Sequence, residues 1–144
     1  MRVDAYTEYI KELLYMVKSA YKTFKSFIPA TQGIFCGFQE RNMRVHGLAL
    51  ALVLFLGIFF QITLLEWILV TIVSGLVITA ELINTAFEEI CNILRDDLGM
   101  SYSSTRKARD MAAGAVLVMA IVAAVIGGII FFPRMWILIS VLRY

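Results

Sequence analysis

The chain has few charged residues, few cysteines and a single histidine, His46. Only 17% of its 144 residues are charged and 60% are hydrophobic, whereas soluble domains contain about 25% charged and about 45–50% apolar residues. A domain of this length has too little interior to bury such an excess of apolar side chains, so a soluble globular enzyme is excluded. The net charge of +2 is too small for the phosphate neutralisation on which nucleic-acid binding depends. We therefore expect a membrane protein without a nucleic-acid partner.

Other absences narrow the class further. The two cysteines, Cys36 and Cys91, provide neither a disulfide framework nor a metal-ligand cluster. Pro29 and Pro133 are the only prolines, which favours long helices because proline is the strongest helix breaker. Neither a GxxxxGK[ST] phosphate-binding loop nor the catalytic loop of protein kinases is present, so any nucleotide must bind to a different scaffold. The length predicts a single domain over residues 1–144.

Three apolar runs are long enough to cross a membrane as helices. The predicted spans cover residues 47–63, 65–94 and 111–132, and the first has about the minimum length for a span. We expect the third span to end at Pro133. The apolar stretch over residues 136–142 is too short for a fourth span. The predicted fold class is therefore an all-α membrane protein with three transmembrane helices.

An amphipathic helix is predicted over residues 5–27, before the first span. Its apolar residues recur every three or four positions, as on one face of a helix. Its lysines cluster on the opposite stripe: Lys11, Lys18, Lys22 and Lys25. A basic amphipathic helix of this kind lies in the membrane interface and extends its lysines toward lipid headgroups. A soluble partner helix is the alternative, which the three neighbouring spans disfavour.

The distribution of basic residues predicts the orientation in the membrane. Seven Lys or Arg residues precede the first span and four lie within residues 95–110, whereas the turn between the first two spans has none. Positive loops remain inside, so we expect the amino terminus and a 95–110 loop on the cytoplasmic side of the inner (plasma) membrane. The turn that contains Glu66 then faces outward, and so does the carboxyl terminus.

Polar residues in the second span form one stripe. Glu81, Asn84 and Glu88 are spaced at i, i+3 and i+7, and therefore share a helix face, which Asn92 continues. Placing a carboxylate at the bilayer centre costs about 2.5–3.5 kcal/mol of free energy, and less near the bilayer edge. We therefore interpret this stripe as a candidate functional site. A polar helix–helix contact is the alternative; it fits Asn84 alone but not the two acids beside it.

Further acids and a basic segment are predicted on the same side of the membrane. Glu40 precedes the first span, and Asp110 follows Lys107 and Arg109 before the third. Mg²⁺ binds a few carboxylate oxygens together with phosphate oxygens and water, which makes Glu40 and Glu88 candidate ligands. Arg109 and its basic neighbours could bind a polyphosphate, although membrane topology alone would also explain most of this basic run. We interpret the lone histidine as a structural or interfacial residue.

Three segments resemble the bacterial diacylglycerol kinase family of small integral-membrane lipid kinases. Residues 80–90, AELINTAFEEI, are similar to the family signature E-x-x-N-[ST]-A-x-E. Residues 108–117, ARDMAAGAVL, resemble its A-K-D-x-A-A-G-A-V-L segment, and residues 40–46, ERNMRVH, resemble the element before its first span. The resemblance covers residues 24–132, and the residues in these segments are closer to those of the undecaprenol kinase branch.

The resemblance implies ATP-dependent phosphorylation of a lipid alcohol by a homotrimer, with active sites between protomers. On the matching positions, Glu81 would be the general base on the lipid hydroxyl and Asn84 would orient the site. Glu40 and Glu88 would hold Mg²⁺, and Asp110 with the basic residue before it would face the nucleotide. The expected substrate is undecaprenol, and diacylglycerol is the alternative. A non-catalytic transporter or channel subunit that uses the polar stripe as an ion path is a separate hypothesis.

Two positions depart from the family pattern. The family usually has Lys where this chain has Arg109, and Asp where it has Asn92. Arg and Lys are not interchangeable, because the guanidinium is a planar fork and the ammonium a compact point charge. We expect these departures to alter nucleotide handling or to weaken the enzyme, rather than to mark an inactive homologue.

Overall fold

The structure is a computed structural model that describes residues 2–143, with side chains for residue 6 and residues 8–143. It contains helices α1 (Arg2–Gly37), α2 (Arg41–Phe59), α3 (Leu64–Asp96) and α4 (Tyr102–Leu142), and no β-strand in this described range. The all-α fold class is thereby confirmed. The chain divides after Cys36 into two compact units. The single domain over residues 1–144 stays a prediction, and its first and last residues lie outside the described ones.

The amino-terminal unit consists of α1, which is longer than the predicted amphipathic segment over residues 5–27. It continues through Pro29, although proline removes one main-chain hydrogen bond from a helix. Side-chain hydroxyls donate to carbonyls of the neighbouring turns, from Ser26 to Thr23 at 2.6 Å and from Thr31 to Ile28 at 2.8 Å. The large apolar side chains of α1 that the structure describes are exposed, and the interfacial location of this helix stays a prediction.

The second unit contains three helices that are each long and apolar enough to cross a membrane, α2, α3 and α4. α3 packs against both other helices. Large apolar side chains such as Leu52, Ile72 and Val125 remain exposed along all three. Water would make such a surface unfavourable, whereas lipid tails solvate it. The unit therefore has the surface of a helix bundle in a bilayer.

The apolar core of this unit lies beside the turn between α2 and α3. Its buried members are Ile62, Val70, Ile130 and Phe131. Gly57 allows α2 to approach α3 closely there, because a Cβ at this position would lie 2.7 Å from the Trp67 ring. At the start of α3, the Thr63 amide donates to Glu66 Oε2 at 2.8 Å, and the Thr63 hydroxyl accepts from the Glu66 amide. This capping box fixes where α3 begins.

Helix α2 differs from the first predicted span at both ends. The predicted span is 47–63, whereas α2 begins earlier, at Arg41, and ends at Phe59. Hydropathy detects the apolar part of a helix and not its polar first turns, so the helix begins before the predicted span. It ends before residue 63 because Gln61 has a positive φ of 48°, which an α-helix cannot accommodate. The second predicted span, 65–94, agrees with α3 within two residues.

Helix α4 is longer than the third predicted span, 111–132. α4 begins at Tyr102, so the predicted 95–110 loop is reduced to residues 97–101. The charged residues before position 111 are helical because a helix can extend beyond the apolar layer: its 41 residues measure about 60 Å at 1.5 Å per residue, against about 30 Å of hydrocarbon.

α4 also continues through Pro133, where the sequence predicted that it would end. Proline lacks one amide hydrogen and therefore removes one helical hydrogen bond, a loss that neighbouring groups offset in membrane helices. Arg134, the next residue, donates from Nη1 to the Ile130 carbonyl at 2.5 Å and from Nη2 to Glu66 Oε2 at 2.9 Å. The second of these bonds connects the helix segment after the proline to the start of α3.

Candidate functional site

Two members of the polar stripe of α3 are buried in the helix bundle. Glu81 and Asn84 are 2% and 3% exposed, and Glu88 is half-buried. Asn84 Nδ2 donates to Glu88 Oε1 at 3.0 Å. A buried carboxylate or amide is costly without polar partners, so the three side chains form one polar site within an otherwise apolar bundle.

One acceptor of this site has no partner. The Oδ1 atom of Asn84 is buried and accepts no hydrogen bond from the part of the chain that the structure describes. Nearly all buried polar atoms in proteins are hydrogen-bonded, and an exception calls for an explanation. This unsatisfied acceptor lies on the same helix face as Glu81.

His46 belongs to the site, which the sequence interpretation missed. Its Nε2 lies 4.0 Å from Glu81 Oε2, and Asn42 also lies beside the Glu81 carboxylate. Asn42 and His46 are four residues apart on α2 and therefore share a helix face. That spacing was the available signal, but it did not indicate which residue of α3 the face would contact.

The second predicted metal ligand, Glu40, lies at the N-cap of α2, where it is exposed and its side chain makes no capping hydrogen bond. Glu40 and Glu88 both lie close enough to Glu81 to interact with it electrostatically. Among the described residues, no three His, Cys, Asp or Glu side chains are grouped closely enough to hold a metal ion. Mg²⁺ seldom uses such a cage and is bound by one or two carboxylates with water and substrate phosphates. The exposed Glu40 and half-buried Glu88 carboxylates fit that ligand set.

Arg109 extends the site from α3 onto α4. Its Nη2 donates to Asn92 Oδ1 at 3.0 Å, and its guanidinium carbon lies 5.3 Å from the centroid of the Tyr102 ring. The two positions that depart from the family pattern therefore contact each other. Arg109 is half-buried, so its orientation is constrained by both helices.

The structure does not place Lys107 and Asp110 in contact with the stripe. Both are exposed on α4. Asp110 Oδ2 lies 3.5 Å from Arg106 Nε, in a pair that is mostly exposed and therefore contributes little stability. Lys107 and Asp110 are therefore accessible to a ligand, but packing within the fold does not hold their side chains in one position.

An apolar groove of about 470 Å³ opens between the three helices and has His46 at its lining. Its other lining residues include Leu50 on α2, Val77 on α3, and Ala123 and Gly127 on α4. Small side chains on α4 leave this space open. The groove therefore reaches the polar site through the histidine that contacts Glu81.

Comparison with known proteins identifies the family. Residues 29–131 match the family described as prokaryotic diacylglycerol kinase. The chain is 34% identical over 113 residues to a protein named undecaprenol kinase from Bacillus subtilis, a match that covers 78% of this chain and 89% of that relative. It is also 34% identical over 110 residues to a protein named diacylglycerol kinase from Synechocystis sp., which covers 75% of this chain and 61% of that relative. No solved structure matches the chain with significance. The resemblance seen in the sequence is thus confirmed, and the chain is a lipid kinase that belongs to the prokaryotic diacylglycerol kinase family.

Proposed function

We propose that this protein transfers the γ-phosphate of ATP to the hydroxyl of a membrane lipid alcohol, with undecaprenol as the acceptor. The observation that carries the proposal is the burial of Glu81, at 2% exposure, in an apolar helix bundle. An acid in this position is costly unless it has a function. The similarity to the relative named undecaprenol kinase supports the choice of acceptor.

Phosphoryl transfer requires positioning and charge neutralisation more than covalent chemistry. Glu81 accepts the proton of the lipid hydroxyl as its oxygen attacks the γ-phosphorus, and the bond to the departing ADP breaks. General bases of this kind contribute about 10²–10⁴-fold to the rate. Asn84 holds the Glu88 carboxylate through the 3.0 Å hydrogen bond, and its free Oδ1 is available to orient the substrate.

The nucleotide is placed at the ends of α2, α3 and α4 that carry the charged residues. Glu40 and Glu88 would hold Mg²⁺, which neutralises phosphate charge when bound. Arg109 faces the phosphates, with Lys107 and Asp110 exposed beside it on α4. This assignment uses all the candidate metal-binding and nucleotide-binding residues that the sequence analysis named.

The lipid is placed in the apolar groove that His46 lines. A hydrocarbon chain in that groove would be surrounded by apolar side chains from three helices. Its hydroxyl would then reach the end of the groove where His46 contacts Glu81. The groove and the base are therefore arranged for an acceptor with a polar end and an apolar chain.

Orientation and assembly complete the proposal. The seven basic residues before position 47 and the four within residues 95–110 favour a cytoplasmic location for both segments in the inner (plasma) membrane. ATP is then supplied on the side where the charged residues lie. We place the active enzyme in a homotrimer, as the family resemblance implies.

The decisive experiment offers undecaprenol and diacylglycerol separately to the purified protein with MgATP and measures phosphorylated lipid. Undecaprenyl phosphate as the main product supports the proposal. Phosphatidic acid as the main product would replace the proposed acceptor by the alternative one. If neither lipid is phosphorylated, the proposed function is wrong. The Glu81→Gln variant, assayed in parallel, identifies contaminating kinase activity.

A further inference from the structure

The guanidinium of Arg109 is held by partners that carry no charge. Its Nη2 donates to the amide oxygen of Asn92, and the ring of Tyr102 lies against its face. Within the described side chains, no carboxylate forms an ion pair with Arg109 within 4.0 Å. The neighbouring Asp96 carboxylate is itself paired with Arg95 at 2.7 Å. The positive charge of Arg109 is therefore not paired with a carboxylate of its own, and Asp96, which interacts with it electrostatically, is already paired with Arg95.

Arg109 also has donors to spare. A guanidinium has five N–H donors, and the bond to Asn92 uses one of them. Its Nε atom is buried and has no hydrogen-bond partner among the described residues. A buried donor without an acceptor is costly, and the planar fork of arginine matches two oxygens of a phosphate or carboxylate. A cation that lacks a carboxylate partner among the described side chains and has unused donors is arranged to bind an anion.

The two neutral contacts come from different helices. Asn92 is on α3, four residues after Glu88, and Tyr102 is the first residue of α4. Tyr102 lies seven residues before Arg109, and therefore on the same face of α4. Asn92 accepts a hydrogen bond from one edge of the guanidinium, and the Tyr102 ring lies 5.3 Å from the guanidinium carbon. A long, flexible side chain is thus oriented before any ligand arrives, which lowers the entropic cost of binding.

We propose that Asn92 and Tyr102 are positioning residues that hold the Arg109 guanidinium to bind a phosphate group of the nucleotide. The proposal rests on the proposed function, in which Arg109 faces the nucleotide. The proposal also explains the two departures from the family pattern together. The Asn92 and Arg109 side chains are hydrogen-bonded to each other and form a matched pair.

The test measures the Kd for MgATP of the purified full-length protein, without a lipid acceptor. Asn92→Leu keeps the approximate size of the side chain and removes the acceptor. Tyr102→Leu removes the ring, and Tyr102→Phe is the matched control because it keeps the ring. We expect Asn92→Leu and Tyr102→Leu each to weaken MgATP binding by about tenfold, because contacts to a charged group are among the stronger polar interactions. Because Tyr102→Phe keeps the ring, it should recover the MgATP binding that Tyr102→Leu loses.

A double variant tests the positioning role further. If Asn92 acts through Arg109, adding Asn92→Leu to an Arg109→Ala variant should weaken MgATP binding no further, since non-additivity identifies coupled residues. The same tenfold loss in the Arg109→Ala background would overturn the proposal, as would unchanged binding by both leucine variants. Tyr102 is exposed, so its variants should fold even if Asn92→Leu does not.

The outcomes also separate this inference from the proposed function. A protein that binds MgATP in the predicted pattern but phosphorylates neither lipid supports the positioning roles and contradicts the proposed reaction. A protein that phosphorylates a lipid while its leucine variants bind MgATP normally contradicts the positioning roles alone. Failure of the unmodified protein to bind MgATP contradicts both.

Discussion

His46 Nε2 lies 4.0 Å from Oε2 of Glu81, so the single histidine of the chain contacts its buried acid across the packing of α2 against α3. The histidine also lines the apolar groove. One residue therefore connects the space proposed for the lipid chain with the group proposed as the base, and its replacement tests both assignments.

Replacing His46 by alanine should lower the rate of lipid phosphorylation by about tenfold, because the Glu81 carboxylate loses a polar neighbour that helps to orient it. The Michaelis constant for the lipid should change as well, since the groove is altered where it meets the site. The Michaelis constant for MgATP should remain as it was. Val45→Ala is the matched control, because Val45 is the neighbouring residue and is 59% exposed. Equal activity of the two variants would contradict a role for His46.

Replacing Glu81 by glutamine should leave a folded protein that binds MgATP but transfers phosphate at least about a hundredfold more slowly. Glutamine has nearly the same shape but cannot accept the hydroxyl proton, and general bases contribute about 10²–10⁴-fold. Initial rates of lipid phosphorylation measure the loss. Glu89→Gln is the control. Glu89 is exposed on α3, and this substitution removes the same charge. Near-normal turnover by Glu81→Gln would remove Glu81 from the role of base.

Replacing Arg134 by methionine should lower the free energy of unfolding of the bundle, because Glu66 loses a hydrogen bond from a charged group. The Arg134 Nη2 and Glu66 Oε2 atoms lie 2.9 Å apart, and the two side chains are 29% and 21% exposed. Reversible unfolding in detergent micelles measures the change. Turnover well below the unfolding temperature should be unaffected, because Glu66 and Glu81 are about 22 Å apart along α3.

The control for that variant is Arg143→Met, which removes the same charge from an exposed position just after α4. It should unfold like the unmodified protein. If both variants are equally destabilised, the effect comes from net charge and the Arg134–Glu66 pair does not stabilise the bundle.

Replacing Gly57 by alanine should destabilise the protein by about 1–3 kcal/mol, the usual cost of overpacking. The added Cβ would lie 2.7 Å from the Trp67 ring, so α2 would have to move away from α3. Gly75→Ala is the matched control, because nothing lies within 4 Å of its added Cβ. Alanine should be neutral or stabilising there, since it is the better helix former. Thermal unfolding of the two variants side by side tests the prediction, and a Gly57→Ala variant as stable as Gly75→Ala would contradict it.

Features that depend on neighbours along the chain were predictable. Helix periodicity placed Glu81, Asn84 and Glu88 on one face of α3, and hydropathy identified three helices able to span a membrane, because both signals repeat within a few residues. The same local reasoning misplaced helix ends, since a helix continues into water beyond its apolar segment. Pro133 illustrates the limit of local reasoning. Proline usually ends a helix, but α4 continues through it, and the next residue, Arg134, connects α4 to α3.

Residue spacing along single helices was enough to predict the all-α class, the number of candidate spans and the polar face of α3, because each of these is a local property. The tertiary structure alone decided that His46 contacts Glu81 and that Arg109 donates to Asn92. Those pairs lie on different helices, and their meeting depends on how each helix is rotated and shifted against the next. Rotation and shift are set by packing, such as the close approach at Gly57, and packing involves all three helices at once.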